Sequence, residues 1–471
     1  MSLKLHNTLT GQKEPFVPRT PGAVGMYVCG VTVYDLCHVG HARSAVVFDV
    51  IRRAFEHRGY RVTFVKNFTD VDDKIIRRAQ EEGVPARELA ERYVAGYRQD
   101  MVALGVRAAD VEPKATEHIP QMVALVQGLI ERGFAYAVDG DVYFEVRKFP
   151  RYGRLSGKRP DELRLGARVE VDERKRDPLD FALWKRAKPG EPAWESPWGP
   201  GRPGWHIECS AMSMHYLGAS FDIHGGGEDL VFPHHENEIA QSEASTGQEF
   251  VRYWIHNGFV NLGAEKMSKS LGNVLLVREL VKRHDPEALR LYLLQTHYRH
   301  PLEYAESRVG ETGRALERVR ILFEEAARAP GRPGRAGTGE RFGEEIAAGR
   351  RRFEAAMDDD VNTPQALGAL FELVRVLHAY RAEAGPADPA FQAGVAELGR
   401  LGGVLGLFGG TGRGAEPPPE LRERIEALVR ARGEARARKA WAEADRLRGE
   451  LARLGVIVED TREGTTWRWR G

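Results

Sequence analysis

The chain has 471 residues, of which 42% are hydrophobic and 29% charged, and its formal net charge at pH 7 is +1. This composition is typical of a soluble globular protein of about three domains, and the near-zero net charge predicts that any basic surface is local. Three cysteines exclude a disulfide framework and indicate a reducing compartment. Because residues 1–15 lack an apolar signal sequence and no run of about 18 apolar residues occurs, we expect a cytoplasmic protein without a membrane partner.

The first 115 residues predict a strand–helix–strand unit. Residues 26–29 form a short apolar run, apolar residues at helical spacing begin at Ala42, and residues 62–65 predict a second strand. Two strands joined by a helix run parallel, so we expect the first half of a doubly wound, Rossmann-type α/β catalytic domain. Residues 116–200 interrupt this pattern and carry a strand of their own at 142–146, which predicts an inserted connective subdomain.

The α/β pattern returns in residues 201–260, which we interpret as the second half of the catalytic domain. Residues 261–310 contain a lysine-rich loop, and a helical pattern follows that predicts a helical bundle domain at 311–408. A glycine- and proline-rich linker then precedes a small mixed α/β domain at 417–471.

Two histidines lie at the predicted junction between a loop and the first helix. His38 and His41 flank Gly40, and the free amides and dipole of a helix N-terminus favour anions. A histidine can donate hydrogen bonds to phosphate oxygens, so this motif is a candidate nucleotide site. The alternative is a pair of surface histidines at a helix cap.

Lys266 and Lys269 belong to the motif Lys-Met-Ser-Lys-Ser at 266–270. Two lysines among small hydroxyl residues suit a mobile loop that closes over a triphosphate, where their ammonium groups offset the charge of departing pyrophosphate. The alternative is a solvated basic turn.

A glycine-rich segment follows the predicted strand at 221–223. A turn at residues 225–227 allows a nucleotide to approach the backbone at Gly227, and Asp229 is placed to hold a ribose hydroxyl. The segment lacks the Gly-x-Gly-x-x-Gly fingerprint, so a dinucleotide cofactor is not indicated. A plain tight turn is the alternative.

Four side chains spread along the chain form a candidate metal site: Cys29, Cys209, His234 and Glu238. The last two are four residues apart and would share one face if this stretch is helical, and two thiolates, an imidazole and a carboxylate make a tetrahedral zinc set. Buried free cysteines are the alternative. Spacing also leaves three rival ligands, which are His235, Glu236 and Cys37.

Together these motifs resemble those of the class I aminoacyl-tRNA synthetases, specifically the cysteinyl-tRNA synthetase family. Residues 38–41 differ from the family's His-Ile-Gly-His signature by valine for isoleucine, and residues 266–270 match Lys-Met-Ser-Lys-Ser without change. The resemblance runs from about residue 3 to 469 and includes segments 25–35, 69–74, 175–180, 204–210 and 232–238.

The resemblance implies an enzyme that activates L-cysteine with ATP and transfers it to cysteine tRNA. It implies catalytic roles for His38, His41, Lys266 and Lys269, with Mg²⁺ accompanying ATP, and it adds Gly30, Gly40, Gly227 and Asp229 to the ATP site. It also implies one zinc ion per chain, held by Cys29, Cys209, His234 and Glu238 but not by Cys37 or His235. Cys29, Thr69, Trp205 and His206 would then surround the bound cysteine, and relatives of bacterial type imply a monomer.

The C-terminal domain carries the candidate tRNA contacts. Arg436 belongs to a strongly basic predicted helix, and Trp467 and Trp469 alternate with arginines in a pattern suited to stacking on splayed anticodon bases. A solvated basic face is the alternative for that helix.

Three other activities compete with the synthetase interpretation. A cysteine ligase of the mycothiol pathway shares the catalytic core but lacks a basic C-terminal domain. A zinc metallohydrolase requires His-Glu-x-x-His, which residues 235–239 do not match, and a pure tRNA-binding module would not need the triphosphate lysines.

Overall fold

The computed structural model describes residues 3–158, 174–262, 265–266, 274–328, 339–409, 419–454, 456–461 and 464–469. Its strands are β1 (Lys4–Asn7), β2 (Gln12–Pro15), β3 (Ala23–Thr32), β4 (Arg61–Thr69), β5 (Ala135–Val138), β6 (Asp141–Phe144), β7 (Phe181–Arg186), β8 (Gly201–Pro203), β9 (Phe221–Gly227), β10 (Val251–Asn257), β11 (Val260–Leu262), β12 (Glu265–Lys266), β13 (Leu302–Glu303), β14 (Val456–Thr461) and β15 (Gly464–Trp469). Its α-helices are α1 (Val39–His57), α2 (Asp73–Glu82), α3 (Ala86–Ala103), α4 (Ile119–Glu131), α5 (Trp205–Leu217), α6 (Glu236–Thr246), α7 (Val277–Arg283), α8 (Pro286–Leu294), α9 (Glu306–Arg328), α10 (Gly339–Asp358), α11 (Thr363–Ala384), α12 (Pro389–Val404), α13 (Pro419–Ala437) and α14 (Trp441–Arg453).

The central sheet has four parallel strands in the order β10–β9–β3–β4. The chain leaves β3 toward β4 on one side and leaves β9 toward β10 on the other, so the strand order reverses between β3 and β9. A doubly wound sheet opens a crevice at such a switch point, outside the carboxyl ends of the strands. The prediction of a doubly wound α/β fold is confirmed.

Helix α1 connects β3 to β4 and covers one face of the sheet. Its apolar residues at helical spacing are buried, including Val46, Val50, Ile51 and Phe55. The helix begins at Val39, three residues before the apolar spacing begins, because His38 at the expected junction of loop and helix supplies the N-cap.

The predicted glycine-rich turn after β9 is instead part of that strand. Gly225, Gly226 and Gly227 pair in parallel with the last three residues of β10, so the strand continues to Gly227. A Cβ atom at Gly225 would lie 2.3 Å from the ring of Phe48 in α1. The glycine therefore permits close packing of helix on sheet, a requirement that the local sequence does not display.

The inserted region forms an antiparallel sheet of four strands in the order β5–β6–β7–β8. The predicted strand at 142–146 corresponds to β6. Trp184 of β7 is fully buried in a second hydrophobic cluster, which also includes residues of α4 and α5. The subdomain therefore packs against the side of the central sheet opposite α1.

Helices α7–α12 follow the central sheet, and a buried ion pair links them to α1. Arg290 of α8 donates to Asp49 of α1 at 2.5 Å and to the carbonyl oxygen of Leu405 at 2.8 Å. Within the described residues, no helix is long and apolar enough to cross a membrane.

The C-terminal part consists of α13, α14 and the antiparallel hairpin β14–β15. These elements agree with the mixed α/β character predicted for this region. The second strand, β15, was not predicted, since its tryptophans alternate with arginines and were interpreted as surface contacts.

Candidate active site and metal centre

A cleft with a volume of about 570 Å³ opens at the carboxyl ends of β3 and β9. Eight of the residues predicted to bind ATP, cysteine or metal line it, namely Cys29, Gly30, His38, Gly40, His41, Trp205, Gly227 and Asp229. Lys66, Lys74 and Asn257 also line this cleft and were not predicted as site residues. The structure thus brings most of the predicted nucleotide and cysteine residues to one surface.

A buried cluster of metal-binding side chains adjoins the cleft at Cys29. The Sγ atom of Cys29 lies 3.6 Å from Sγ of Cys209, 3.4 Å from Nε2 of His234 and 3.4 Å from Oε1 of Glu238. Nε2 of His234 lies 3.0 Å from the same carboxylate oxygen. All four side chains are buried.

These separations can be compared with those of a zinc site. Bonds of about 2.0–2.3 Å to a tetrahedral ion place the ligand atoms roughly 3.3–3.8 Å apart. The distances from Cys29 fall within that range, and the separation of 3.0 Å between His234 and Glu238 is slightly shorter. The donor atoms therefore fit a zinc ion.

Of the three rival metal ligands, only His235 belongs to a compact set of donor atoms with Cys29. Glu236 accepts hydrogen bonds from the backbone and the hydroxyl of Ser156, each at 2.9 Å, and Cys37 contacts the carbonyl oxygen of His38. His235 lies close, with Nε2 3.3 Å from Sγ of Cys29. A second set of donors is therefore also compact, formed by Cys29, His224, His235 and Glu238.

Charges within the cluster shift its pKa values. Burial raises the pKa of the Cys29 thiol well above its usual range. Burial also opposes ionisation of Glu238 and His234, but the imidazoles of His224 and His234 lower the pKa of Glu238 to about 2. Glu238 and Cys209 raise the pKa of His234 to about 10. A metal cation would replace the His234 proton as the positive partner of this carboxylate.

Sequence reasoning missed His224, which lies in β9 beside the metal cluster. Its Nε2 is 2.8 Å from Oε2 of Glu238, and both side chains are fully buried. A histidine at the end of an apolar strand, directly before three glycines, was the available signal. Parallel pairing with Tyr27 of β3 places it near Cys29, two residues further along that strand.

The two histidines of the nucleotide motif cap α1. Nδ1 of His38 accepts hydrogen bonds from the amides of Gly40 and His41, and Nδ1 of His41 lies 3.4 Å from the amide of His38. Their rings stack with centroids 3.6 Å apart. Because Nδ1 is the acceptor in both rings, the neutral tautomer carries its proton on Nε2, which can donate to a phosphate oxygen.

Gly30 is held against β4 by Asn67. The amide of Gly30 donates to Oδ1 of Asn67 at 2.8 Å, and a Cβ atom at Gly30 would lie 1.5 Å from the Asn67 carbonyl oxygen. Only glycine fits at this point. Oδ1 of Asn67 also lies 3.8 Å from Sγ of Cys209, so one side chain contacts both the cleft wall and the metal cluster.

Of the residues predicted to bind cysteine, Cys29 and Trp205 line the cleft, whereas His206 and Thr69 do not. Trp205 lines the cleft and stacks on His234 with ring centroids 4.2 Å apart. His206 lies behind His234, with the two Nδ1 atoms 2.9 Å apart. Thr69 is buried, and its hydroxyl donates to Oε2 of Glu208 at 2.9 Å. A hydrogen bond donated by this hydroxyl to the substrate cysteine would therefore have to replace its bond to Glu208.

Several predicted residues are described only in part. Lys269 lies outside the described residues, as does the side chain of Lys266, whose backbone belongs to β12. Arg436 is half-buried in α13. Trp467 is half-buried and packs against the cluster that includes Ile425, and the side chain of Trp469 is outside the described residues. Trp467 thus contributes to the core of the C-terminal part.

The sequence matches three known protein families and is similar to known ligases along its whole length. The family described as "tRNA synthetases class I (C) catalytic domain" matches residues 15–314, "DALR domain" matches 352–409, and "Cysteinyl-tRNA ligase anticodon binding domain" matches 418–468. A "Cysteine--tRNA ligase" of Trichlorobacter lovleyi is 52% identical over 485 residues, covering 99% of this chain and 100% of the relative. One of Alkalilimnicola ehrlichii is 55% identical over 472 residues, covering 99% of both chains.

A solved structure supports the fold alone. Methionyl-tRNA synthetase of Mycobacterium tuberculosis, in complex with methionyl-adenylate, superimposes with a TM-score of 0.61 at 16% identity, covering 90% of this chain and 96% of that one. The parallel sheet with its cleft at the switch point has the fold of these enzymes. Three family models match along the chain, and two ligases are 52% and 55% identical to it over 99% of its length. This chain therefore belongs to the cysteinyl-tRNA synthetase family of class I aminoacyl-tRNA synthetases.

Proposed function

We propose that the chain activates L-cysteine with ATP and transfers the cysteinyl group to the 3′-terminal ribose of cysteine tRNA. The observation that carries this proposal is the position of Cys29, which belongs both to the buried cluster and to the wall of the cleft. A thiol bound at the cluster and a triphosphate bound at the α1 cap would share one cavity. This is the juxtaposition that adenylation of cysteine requires.

The metal of this centre is proposed to be one zinc ion, held by Cys29, Cys209, His234 and Glu238. Soft thiolate ligands favour zinc, and the set with two cysteines is the better match than the alternative set with one. Zinc in this position would bind the substrate as a thiolate and thereby select cysteine over serine, whose hydroxyl does not ionise near neutral pH. Trp205, stacked on His234, and His206, bonded to it, would orient that imidazole.

The nucleotide is proposed to bind along the C-terminal ends of the strands. His38 and His41 would donate from Nε2 to the triphosphate, joined by Lys266 and Lys269 from their loop and by Mg²⁺ bound with ATP. Gly30, Gly40 and Gly227 line the cleft and would present their backbone to the nucleotide, and Asp229 is exposed at the cleft rim, where its carboxylate would accept from a ribose hydroxyl. Thr69 and Cys29 would complete the cysteine side.

The C-terminal part is proposed to recognise the anticodon through Arg436, Trp467 and Trp469. Its match to an anticodon-binding family supports this role and argues against the mycothiol-type ligase. Because Trp467 is half-buried against the core of this part, only the exposed part of its side chain would meet the RNA. We further propose a monomeric protein of the cytoplasm.

The test is exchange of labelled pyrophosphate into ATP, followed by charging of cysteine tRNA. Exchange should depend on cysteine and be negligible with serine, and the full-length protein should then acylate the tRNA. Exchange with cysteine but without acylation would indicate the amino-sugar ligase, and equal exchange with serine would contradict the proposed role of the metal.

A further inference from the structure

Lys66 of β4 has no assigned role, yet its side chain lines the cleft beside His38 and His41. Its Nζ lies 2.5 Å from the hydroxyl of Tyr97 in α3, and 5.1 Å from the centre of that ring. Across the described part of the chain, no carboxylate forms an ion pair with Lys66. A neutral hydroxyl is thus its hydrogen-bonding partner.

The two carboxylates whose charges act on Lys66, Glu112 and Asp49, already have partners. Glu112 pairs with Arg98 at 2.8 Å, and Asp49 pairs with Arg290 at 2.5 Å and with Arg53 at 2.9 Å. Burial lowers the pKa of Lys66 to about 8, and the negative potential of Cys37, Glu112 and Asp49 only partly opposes this effect. The Lys66 ammonium is half-buried in the cleft and has no charged partner among the described residues, so an anion supplied by a ligand would stabilise it.

The alternation of side chains along β4 indicates which end of the substrates Lys66 can reach. Asn67 and Thr69 face the metal cluster and Glu208, whereas Lys66 and Phe68 both contact Tyr97 on the opposite side of the sheet. Successive side chains of a strand point to opposite faces. Lys66 therefore lies on the α1 side of the cleft, away from the site for the cysteine thiol.

We infer that Lys66 binds a phosphate oxygen of a substrate in this cleft. The inference rests on the proposed function, and two sources have this chemistry: the triphosphate of ATP and the phosphodiester next to the terminal ribose of the tRNA. An ammonium can donate three hydrogen bonds, so Lys66 can keep its bond to Tyr97 and still contact phosphate.

The experiment compares Lys66→Met with Lys66→Arg in two assays. Pyrophosphate exchange without tRNA gives the Michaelis constants of ATP and cysteine, and single-turnover transfer from preformed adenylate gives the tRNA step. In one of the two assays, Lys66→Met should reduce the measured kcat/KM or transfer rate by about 10- to 100-fold, the range for a hydrogen bond to a charged group. Lys66→Arg should restore most of that activity. A loss in exchange assigns the contact to ATP, and a loss in transfer assigns it to tRNA.

Lys114→Met is the matched control, since Lys114 pairs with Glu91 at 2.5 Å and does not line the cleft. It should match the wild type in both assays. Any one of three results would overturn the inference. Lys66→Met could show unchanged kinetics, it could raise only the Michaelis constant of cysteine, or Lys66→Arg could fail to restore activity. The wild-type protein decides the proposed function separately, because its failure to exchange pyrophosphate at all would refute that function before any variant is compared.

Discussion

The imidazole of His224 donates from Nε2 to Oε2 of Glu238 across 2.8 Å in a fully buried environment. A carboxylate can only accept, so this bond fixes the proton on Nε2, and Nδ1 of His224 has no partner among the described residues. The other carboxylate oxygen, Oε1, is the one directed toward Cys29 and His234. His224 thereby determines which oxygen of Glu238 is presented to a metal ion.

Replacing His224 by glutamine should lower zinc affinity by about 10- to 100-fold, the usual effect of removing a hydrogen bond to a metal ligand. Competition with a chromophoric chelator measures the affinity. His256→Asn is the matched control, because His256 is also buried but bonds to His235 and Thr8 rather than to a proposed ligand. Equal affinities of the His224 variant and the wild type would contradict the orienting role.

The three cysteines allow a direct test of the metal assignment. Cys209→Ser should lose the bound zinc, since a serine hydroxyl is a poor zinc ligand, whereas Cys37→Ser should retain one equivalent because Cys37 lies outside the cluster. Elemental analysis of the purified proteins gives the zinc content. Full occupancy in Cys209→Ser would favour the alternative set with His224 and His235.

Gly30 should not tolerate a side chain. Gly30→Ala brings Cβ against the backbone of Asn67, so β3 and β4 must separate, and we expect a loss of about 1–3 kcal/mol in the free energy of unfolding together with weaker ATP binding. In contrast, Gly310→Ala in α9 meets nothing within 4 Å and should stabilise the protein by up to about 1 kcal/mol. Chemical denaturation of both variants distinguishes these outcomes.

The pKa of Lys66 predicts a pH dependence of stability. Its folded-state pKa of about 8 lies below 10.5, the usual pKa of a lysine side chain, so the unfolded chain binds more protons between these values. The free energy of unfolding of the wild type, relative to Lys66→Met, should therefore rise from pH 8 to 10.5. Urea titrations at several pH values measure it, and a flat difference would mean that Lys66 keeps its ordinary pKa.

Truncation after Gly409 should separate adenylation from tRNA recognition. The residues of the cleft and the metal cluster all precede that point, so pyrophosphate exchange should persist, while the Michaelis constant of tRNA should increase sharply. The dependence of tRNA binding on salt should also become weaker, because phosphate contacts are lost with the basic helix. Unaltered charging by the truncated protein would exclude a role of residues 418–468 in binding.

Local patterns were sufficient to predict part of this architecture. Helical spacing and short apolar runs predicted α1, β3 and β4, and the motif at 38–41 was expected at a helix N-terminus, where the structure has its cap. The continuation of β9 through its three glycines was not predicted. That outcome depends on Phe48 in a different element, and no window of the sequence around Gly225 contains it.

The sequence by itself determined the kinds of residue available: two cysteines, a histidine and a glutamate suited to zinc, two capping histidines, and signature lysines. Only the tertiary structure decided which side chains meet, because Cys29 and Cys209 are 180 residues apart and become neighbours where α5 packs against β3. The tertiary structure also places His224 of β9 next to Glu238 of α6, and the packing of α3 on β4 leaves Lys66 beside a hydroxyl rather than a carboxylate. Burial then sets the pKa values of these groups, since desolvation depends on every element packed around them.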